Sequence, residues 1–153
     1  MTSTPPADDA QARAQASADA MWAEDRASRA LGMELRRIAP GEAELAMRVR
    51  PDMTNGHGIC HGGFMFTLAD SAFAFACNSH GQRAVAQQCA VTFIRAVKAG
   101  ETLVARAVER SRVGRGGIYD VTVVGDDGSV VAEFRGHSRT IAGEFGAADA
   151  TRT

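Results

Sequence analysis

The sequence has no block of Lys and Arg. Its 17 basic residues are scattered among 18 acidic ones for a formal net charge of −1, so the electrostatic footprint of broad nucleic-acid or anionic-membrane binding is missing and neither partner is expected. Cysteine is scarce as well. Cys60, Cys77 and Cys89 are an odd number without the spacing of a disulfide framework, which predicts reduced thiols and no disulfide. The opening stretch MTSTPPADDAQARAQASADAMW carries acids where a secretory leader needs positive charge, and it lacks an apolar segment. A cytoplasmic protein is therefore expected. Large apolar side chains are nearly absent from residues 1–18, so this stretch has little to bury against the entropy of ordering and reads as a disordered tail. The sequence returns to small polar residues over 144–153, where fraying is expected. What lies between, 19–143, is expected to be a single domain.

The most prominent feature present is one long apolar run. Residues 62–79, GGFMFTLADSAFAFACNS, carry a single charge, Asp70, at their midpoint. The run is nearly long enough to span a bilayer. Asp70, the closing Asn78 and Ser79, and the missing cationic flank argue instead for a helix buried on all sides at the centre of a globular core. Upstream, Met21, Trp22, Ala27 and Leu31 punctuate charged residues with loose helical spacing, and Gly32 suits a helix stop. This predicts a short covering helix over 19–31. MELRRIA and EAELAMRVR flank Pro40 and Gly41, and Ala43, Leu45, Met47 and Val49 alternate with polar residues, as a hairpin requires.

Downstream, AVAQQCAVTFIRAV, ETLVARAVERSR, GIYDVTVVGD and SVVAEFRGHSRTIA have strand-like composition and are separated by glycine-containing turns. Tyr119, Val121 and Val123 form one apolar face, and Val130, Ala132 and Phe134 form another. Two strands, a long apolar helix and four more strands describe an α+β fold, an antiparallel sheet wrapped around a central helix.

The loop NGHGICHGG opens that helix. Its glycines let backbone approach a ligand closely, and free N–H groups near Gly62 and Gly63 form an electropositive spot able to polarise a carbonyl and stabilise an oxyanion. A plain glycine-rich turn is the alternative. Asp70 lies eight residues beyond Gly62, about 12 Å along a helix axis, too far to serve the same small carbonyl. Two chains paired about a two-fold axis, with their helices antiparallel, would bring the helix start of one to the aspartate of the other. The bland reading of Asp70 is a carboxylate satisfied by Thr67, Ser71 or backbone. His57, Cys60 and His61 form an incomplete metal set with no fourth ligand in view. Cys60 as a nucleophile at a helix start is a further option, set against a role in shaping the loop. Gln87 and Gln88 interrupt an apolar strand, and alternation sends one inward, to position water or to hydrogen-bond at an edge. Arg115, among glycines, suits a phosphate contact or a solvated surface.

Taken together, Asn55, Gly56, His57, Gly58, Cys60, His61, Gly62, Gly63, Leu68, Ala69, Asp70 and the stretch 72–76 resemble the hotdog-fold acyl-CoA thioesterases, and among these the phenylacetate-pathway thioesterases. TFIRAVKAGETL, GIYDV and FRGHSR extend the likeness across most of 32–143. The resemblance implies a hotdog fold and a homodimer with sites shared between subunits, often paired again into a homotetramer. It implies hydrolysis of phenylacetyl- or hydroxyphenylacetyl-CoA with no metal or organic cofactor. By the same resemblance Asp70 is the catalytic carboxylate, Gly62 N–H polarises the thioester carbonyl, and Asn55 and His61 orient substrate or water. Gly63, Gln87, Gln88 and Arg115 are then candidates for substrate binding. Some relatives carry Ser or Thr on the strand after the helix, where this chain has Ala86, Gln87 and Gln88. Rival readings are a hotdog hydratase, whose usual His-Phe-Pro stretch is missing, and a non-catalytic acyl-CoA sensor, for which no DNA-binding module precedes residue 32.

Overall fold

A computed structural model describes residues 6–145. In chain order it contains α1 (Ala7–Glu24), α2 (Arg26–Ala30), β1 (Glu34–Ala39), β2 (Glu42–Arg48), a short 3-10 turn (Pro51–Met53), α3 (Gly62–Cys77), β3 (Gln82–Phe93), β4 (Thr102–Val113), β5 (Gly116–Val124) and β6 (Val130–Glu144). The six strands form one sheet in the order β1-β2-β4-β5-β6-β3, and each neighbouring pair is antiparallel.

α3 is apolar on nearly every side because the curved sheet wraps it. Met65, Leu68, Ala69, Ala72, Phe73, Phe75, Ala76 and Cys77 are buried. Opposite them, Leu45, Met47, Leu103, Ala105, Ala107, Tyr119, Val121, Val123 and Phe134 fill the inner face of the sheet. Phe73 is the keystone of this layer, with its ring 5.6 Å from that of Tyr119 and 5.8 Å from that of Phe134. Gly136 makes the room: a Cβ there would lie 2.7 Å from the Phe73 ring. Val130, expected on the inner face, is only partly buried. A register shift between Val123 and Val124 lets Val131 take the buried place.

The amino-terminal stretch departs from expectation. Residues 1–18 read as disordered, yet α1 begins at Ala7 and runs through most of them. Alanine is the strongest helix former, and Asp8 and Asp9 sit in the first turn, where the helix dipole favours acids. The helix docks through small residues, burying Ala14, Ser17 and Ala18, while Gln11 Nε2 donates to the Ile38 carbonyl at 2.9 Å. A search for large apolar side chains overlooks such close packing. The expected helix over 19–31 is also broken in two: Asp25 ends α1 and caps α2, its Oδ1 accepting from Ser28 N at 2.9 Å. Gly32, at φ 70°, follows α2 in the left-handed conformation that glycine tolerates. At the other end Glu144 still belongs to β6 and Phe145 to a turn, and the rest of the expected frayed tail lies outside the described residues.

β3 leaves one edge of the sheet open, with Val85 46% and Phe93 49% exposed. Such an edge presents unpaired backbone groups to a further strand. Within β3, Ala86 pairs with Ser138 and Gln88 with His137, so Gln87 is an extra residue, a β-bulge.

Candidate active site

The loop before α3 is held at several points. Asn55 N donates to Ile59 O at 2.8 Å and Gly58 N to Asn55 O at 3.0 Å, with Gly58 at φ 74°. Asn55 Oδ1 accepts from His57 N at 2.9 Å, closing an Asx turn. Cys60 N and His61 N donate to Val97 O and Met53 O, fixing where the helix begins.

His61 is the N-cap of α3. Its extended backbone, φ −62° and ψ 131°, turns the ring back so that Nδ1 accepts from Gly63 N at 2.9 Å. Phe64 N donates to His61 O at 3.0 Å. Of the first three helical N–H groups, only that of Gly62 is left without an acceptor among the described residues. This donor borders a cleft of about 410 Å³ lined chiefly by apolar groups, including Ile59, Met65, Phe93 and Ile94, with Asn55 at its polar side. A larger cleft of about 870 Å³ opens at the other end of α3, beside Arg13, His80 and Arg112. It lies away from the free donor and from Asp70, so size alone does not mark the site.

Asp70 is half-buried, and burial pushes its carboxyl above the usual carboxylate range. Neither neighbouring hydroxyl satisfies it: Thr67 Oγ1 donates to Gly63 O at 2.8 Å, and Ser71 Oγ pairs with Ser28 Oγ at 2.8 Å. Its one side-chain partner among the described residues is Cys89, whose Sγ donates to Oδ1 at 3.9 Å and offsets part of the upward push.

Cys89 does not stand out in the sequence, and the bulge at Gln87 explains why: strict alternation turns one glutamine inward, but the extra residue changes the phase of the strand. Cys89, opposite Gly136, and Val91, opposite Phe134, therefore face α3, while Gln88 lies opposite His137. Gln87 and Gln88 are both exposed, so the expectation that one points inward is corrected. The run of two glutamines inside an apolar strand is the one available signal. Arg115 stands in the β4–β5 turn, its guanidinium donating to Thr140 O at 3.0 and 3.3 Å.

The three thiols are poor nucleophiles. Burial first, and Glu101 second, raise the Cys60 thiol, while burial and then Asp70 raise Cys77 to about 12 and Cys89 to about 11. Among the described residues no group of three or more His, Cys, Asp or Glu side chains gathers as a metal site. No helix among them is long and apolar enough to cross a membrane.

Residues 57–132 match the family model described as "Thioesterase superfamily". Over 131 residues the chain is 44% identical to the acyl-coenzyme A thioesterase PaaI of Escherichia coli (strain K12), covering 86% of this chain and 94% of that protein. The solved structure of the E. coli PaaI protein from the phenylacetic acid degradation operon matches with a TM-score of 0.86 at 42% identity, over 88% of this chain and 97% of the other. A variant of the phenylacetic acid degradation protein PaaI from Thermus thermophilus matches at 0.74 and 44% identity, over 76% of this chain and 100% of its own.

Proposed function

The chain belongs to the thioesterase superfamily and hydrolyses acyl-CoA thioesters, and from that premise we propose that each active site is shared by two copies of the chain and accepts an arylacetyl-CoA. The observation that carries the shared site is the separation of the two chemical groups. Gly62 N–H is the free donor of α3, and Asp70 is a sparsely partnered carboxylate eight residues further along, about 12 Å away by helix rise. A second chain with its α3 antiparallel closes that gap, and the open edge of β3 offers the backbone groups for such pairing.

In this reading the thioester carbonyl accepts from Gly62 N–H of one chain, and Asp70 of the other takes a proton from a water molecule as the water oxygen attacks the carbonyl carbon. The oxyanion is stabilised by the helix start. Collapse breaks the C–S bond and releases CoA thiolate, whose conjugate acid has a pKa of about 8.5, so departure needs no strong acid. Raised by burial, Asp70 is a stronger base than an exposed carboxylate. His61 holds the Gly63 donor and so reserves Gly62 for substrate, while Asn55 closes the loop above the cleft. Phe93, Met65 and Ile94 give that cleft an apolar lining suited to an aromatic ring. Exposed Arg115 is a candidate for the CoA phosphates, and a pair of dimers is the assembly expected in solution.

Thiol release from phenylacetyl- and hydroxyphenylacetyl-CoA, beside short and long aliphatic acyl-CoAs, tests the reading with wild type and Asp70→Asn. Aromatic-selective turnover that the variant abolishes is expected. Full turnover by a folded Asp70→Asn would refute the role of the carboxylate, and faster turnover of aliphatic esters would refute the arylacetyl assignment.

A further inference from the structure

We propose that Cys89 is a positioning residue for Asp70, its thiol turned inward by the β3 bulge so as to hold one carboxylate oxygen and leave the other to the reaction. The inference rests on the reading of Asp70 as the catalytic carboxylate. Three observations support it.

The first is the bulge. Up to Ala86, opposite Ser138, the strand keeps one phase; beyond Gln87 it keeps the other, and only this change brings position 89 opposite Gly136 and over α3. β-Bulges recur beside active sites, where the extra residue bends the strand and re-aims side chains. The second is the lack of competition. Thr67 and Ser71, the hydroxyls nearest Asp70 in sequence, are bound to Gly63 O and Ser28, so the Cys89 contact to Oδ1 is the carboxylate's one side-chain hydrogen bond among the described residues, and Oδ2 has none. The third is the character of the donor. With its thiol raised to about 11, Cys89 keeps its proton at neutral pH and donates it, adding no charge. A thiol is a weak donor. It orients the carboxylate yet leaves it basic, where a cationic partner would quench it. Among the described residues Cys77, on α3 itself, is also near enough to feel the Asp70 charge, and it too remains a neutral thiol. On the shared-site reading, the start of α3 from the second chain, with its His61, would be brought to this carboxylate as well.

The test compares pH profiles of kcat/KM for wild type, Cys89→Ala, Cys89→Ser and Asp70→Asn, each checked for fold by circular dichroism. The thiol hydrogen bond lowers the Asp70 pKa, so its removal raises that pKa. For Cys89→Ala, the acid limb is expected to move to higher pH and kcat/KM to fall roughly 3- to 10-fold at its plateau. Cys89→Ser, which restores a donor, is expected to bring the limb back. A folded Cys89→Ala with the wild-type limb and plateau, beside an inactive Asp70→Asn, would overturn the positioning role while leaving the catalytic carboxylate in place. Normal turnover by Asp70→Asn would sink the underlying reading and this inference with it. A measurement independent of the Cys89 variants is the infrared S–H stretch. The difference spectrum of wild type against Asp70→Asn is expected to show one shifted thiol band, and an unshifted spectrum counts against the contact.

Discussion

Replacing Gly62 by proline deletes one hydrogen-bond donor and little else. Gly62 is the first residue of α3, a position where proline is favoured because its N–H has no intrahelical partner and its fixed φ suits the helix. The preceding residue, His61, already has the extended ψ of 131° that a following proline requires. One steric cost is visible, since a Cβ at position 62 would lie 2.8 Å from Cζ of Phe93. Phe93 is 49% exposed, and the close atom is the far end of its side chain. Gly62→Ala carries the same Cβ and keeps its N–H, so it is the proper control. Both variants are expected to stay within about 1 kcal/mol of wild type, or about 2–4 °C in Tm for a chain of this size. Loss of one oxyanion donor costs roughly 10²- to 10³-fold in kcat, about 2.7–4 kcal/mol, so Gly62→Pro should fall below Gly62→Ala by that factor. The assay is thiol release from phenylacetyl-CoA at saturating substrate, alongside calorimetric Tm. If the folded proline and alanine variants turn over equally, the Gly62 N–H takes no part in stabilising charge.

Mixing unfolded Gly62→Pro and Asp70→Asn chains and refolding them together should restore about a quarter of wild-type turnover, because each hybrid dimer regains one intact site; no recovery would place the site within one chain. Asp70→Asn should melt higher than wild type at neutral pH. Because burial raises the folded-state pKa, Asp70 favours the fold most below its unfolded pKa, and that contribution is lost as pH rises through the folded value. The gain should therefore vanish on acidification, and an equal or lower Tm at pH 7 would contradict it. Phe73→Ala empties the space between Tyr119, Phe134 and Gly136 and should cost about 3–5 kcal/mol, a fall of roughly 6–20 °C in Tm; a loss under ~1 kcal/mol would show that α3 resettles into the gap.

The parts of this molecule legible from sequence are those in which a single periodicity persists. α3 stands out because its run is apolar without interruption, and the four later strands because glycine-bearing turns separate alternating segments. The loop and Asp70 can be picked out for a similar reason, since a charge inside such a run has few structural uses. α1 escapes such a reading because its burial uses Ala14, Ser17 and Ala18, residues whose small size is the means of packing and which no hydropathy pattern highlights. Cys89 is hidden by a change of phase that depends on pairing with β6, a non-local fact. The exclusive availability of Gly62 N–H depends likewise on how the His61 ring folds back onto Gly63.

The single extra residue in β3 also constrains how this chain can vary over time. In a turn, a one-residue deletion only shortens the connection; at Gln87 it would turn half a strand over, sending either the part that bears Cys89, Val91 and Phe93 or the part before it to the opposite face. Substitutions around this point are separable events, whereas a change of length is not, because it would exchange the lining of the cleft, the neighbour of Asp70 and the exposed edge at once. The middle of β3 should therefore accept new side chains far more readily than a change in residue count, much as a reading frame does.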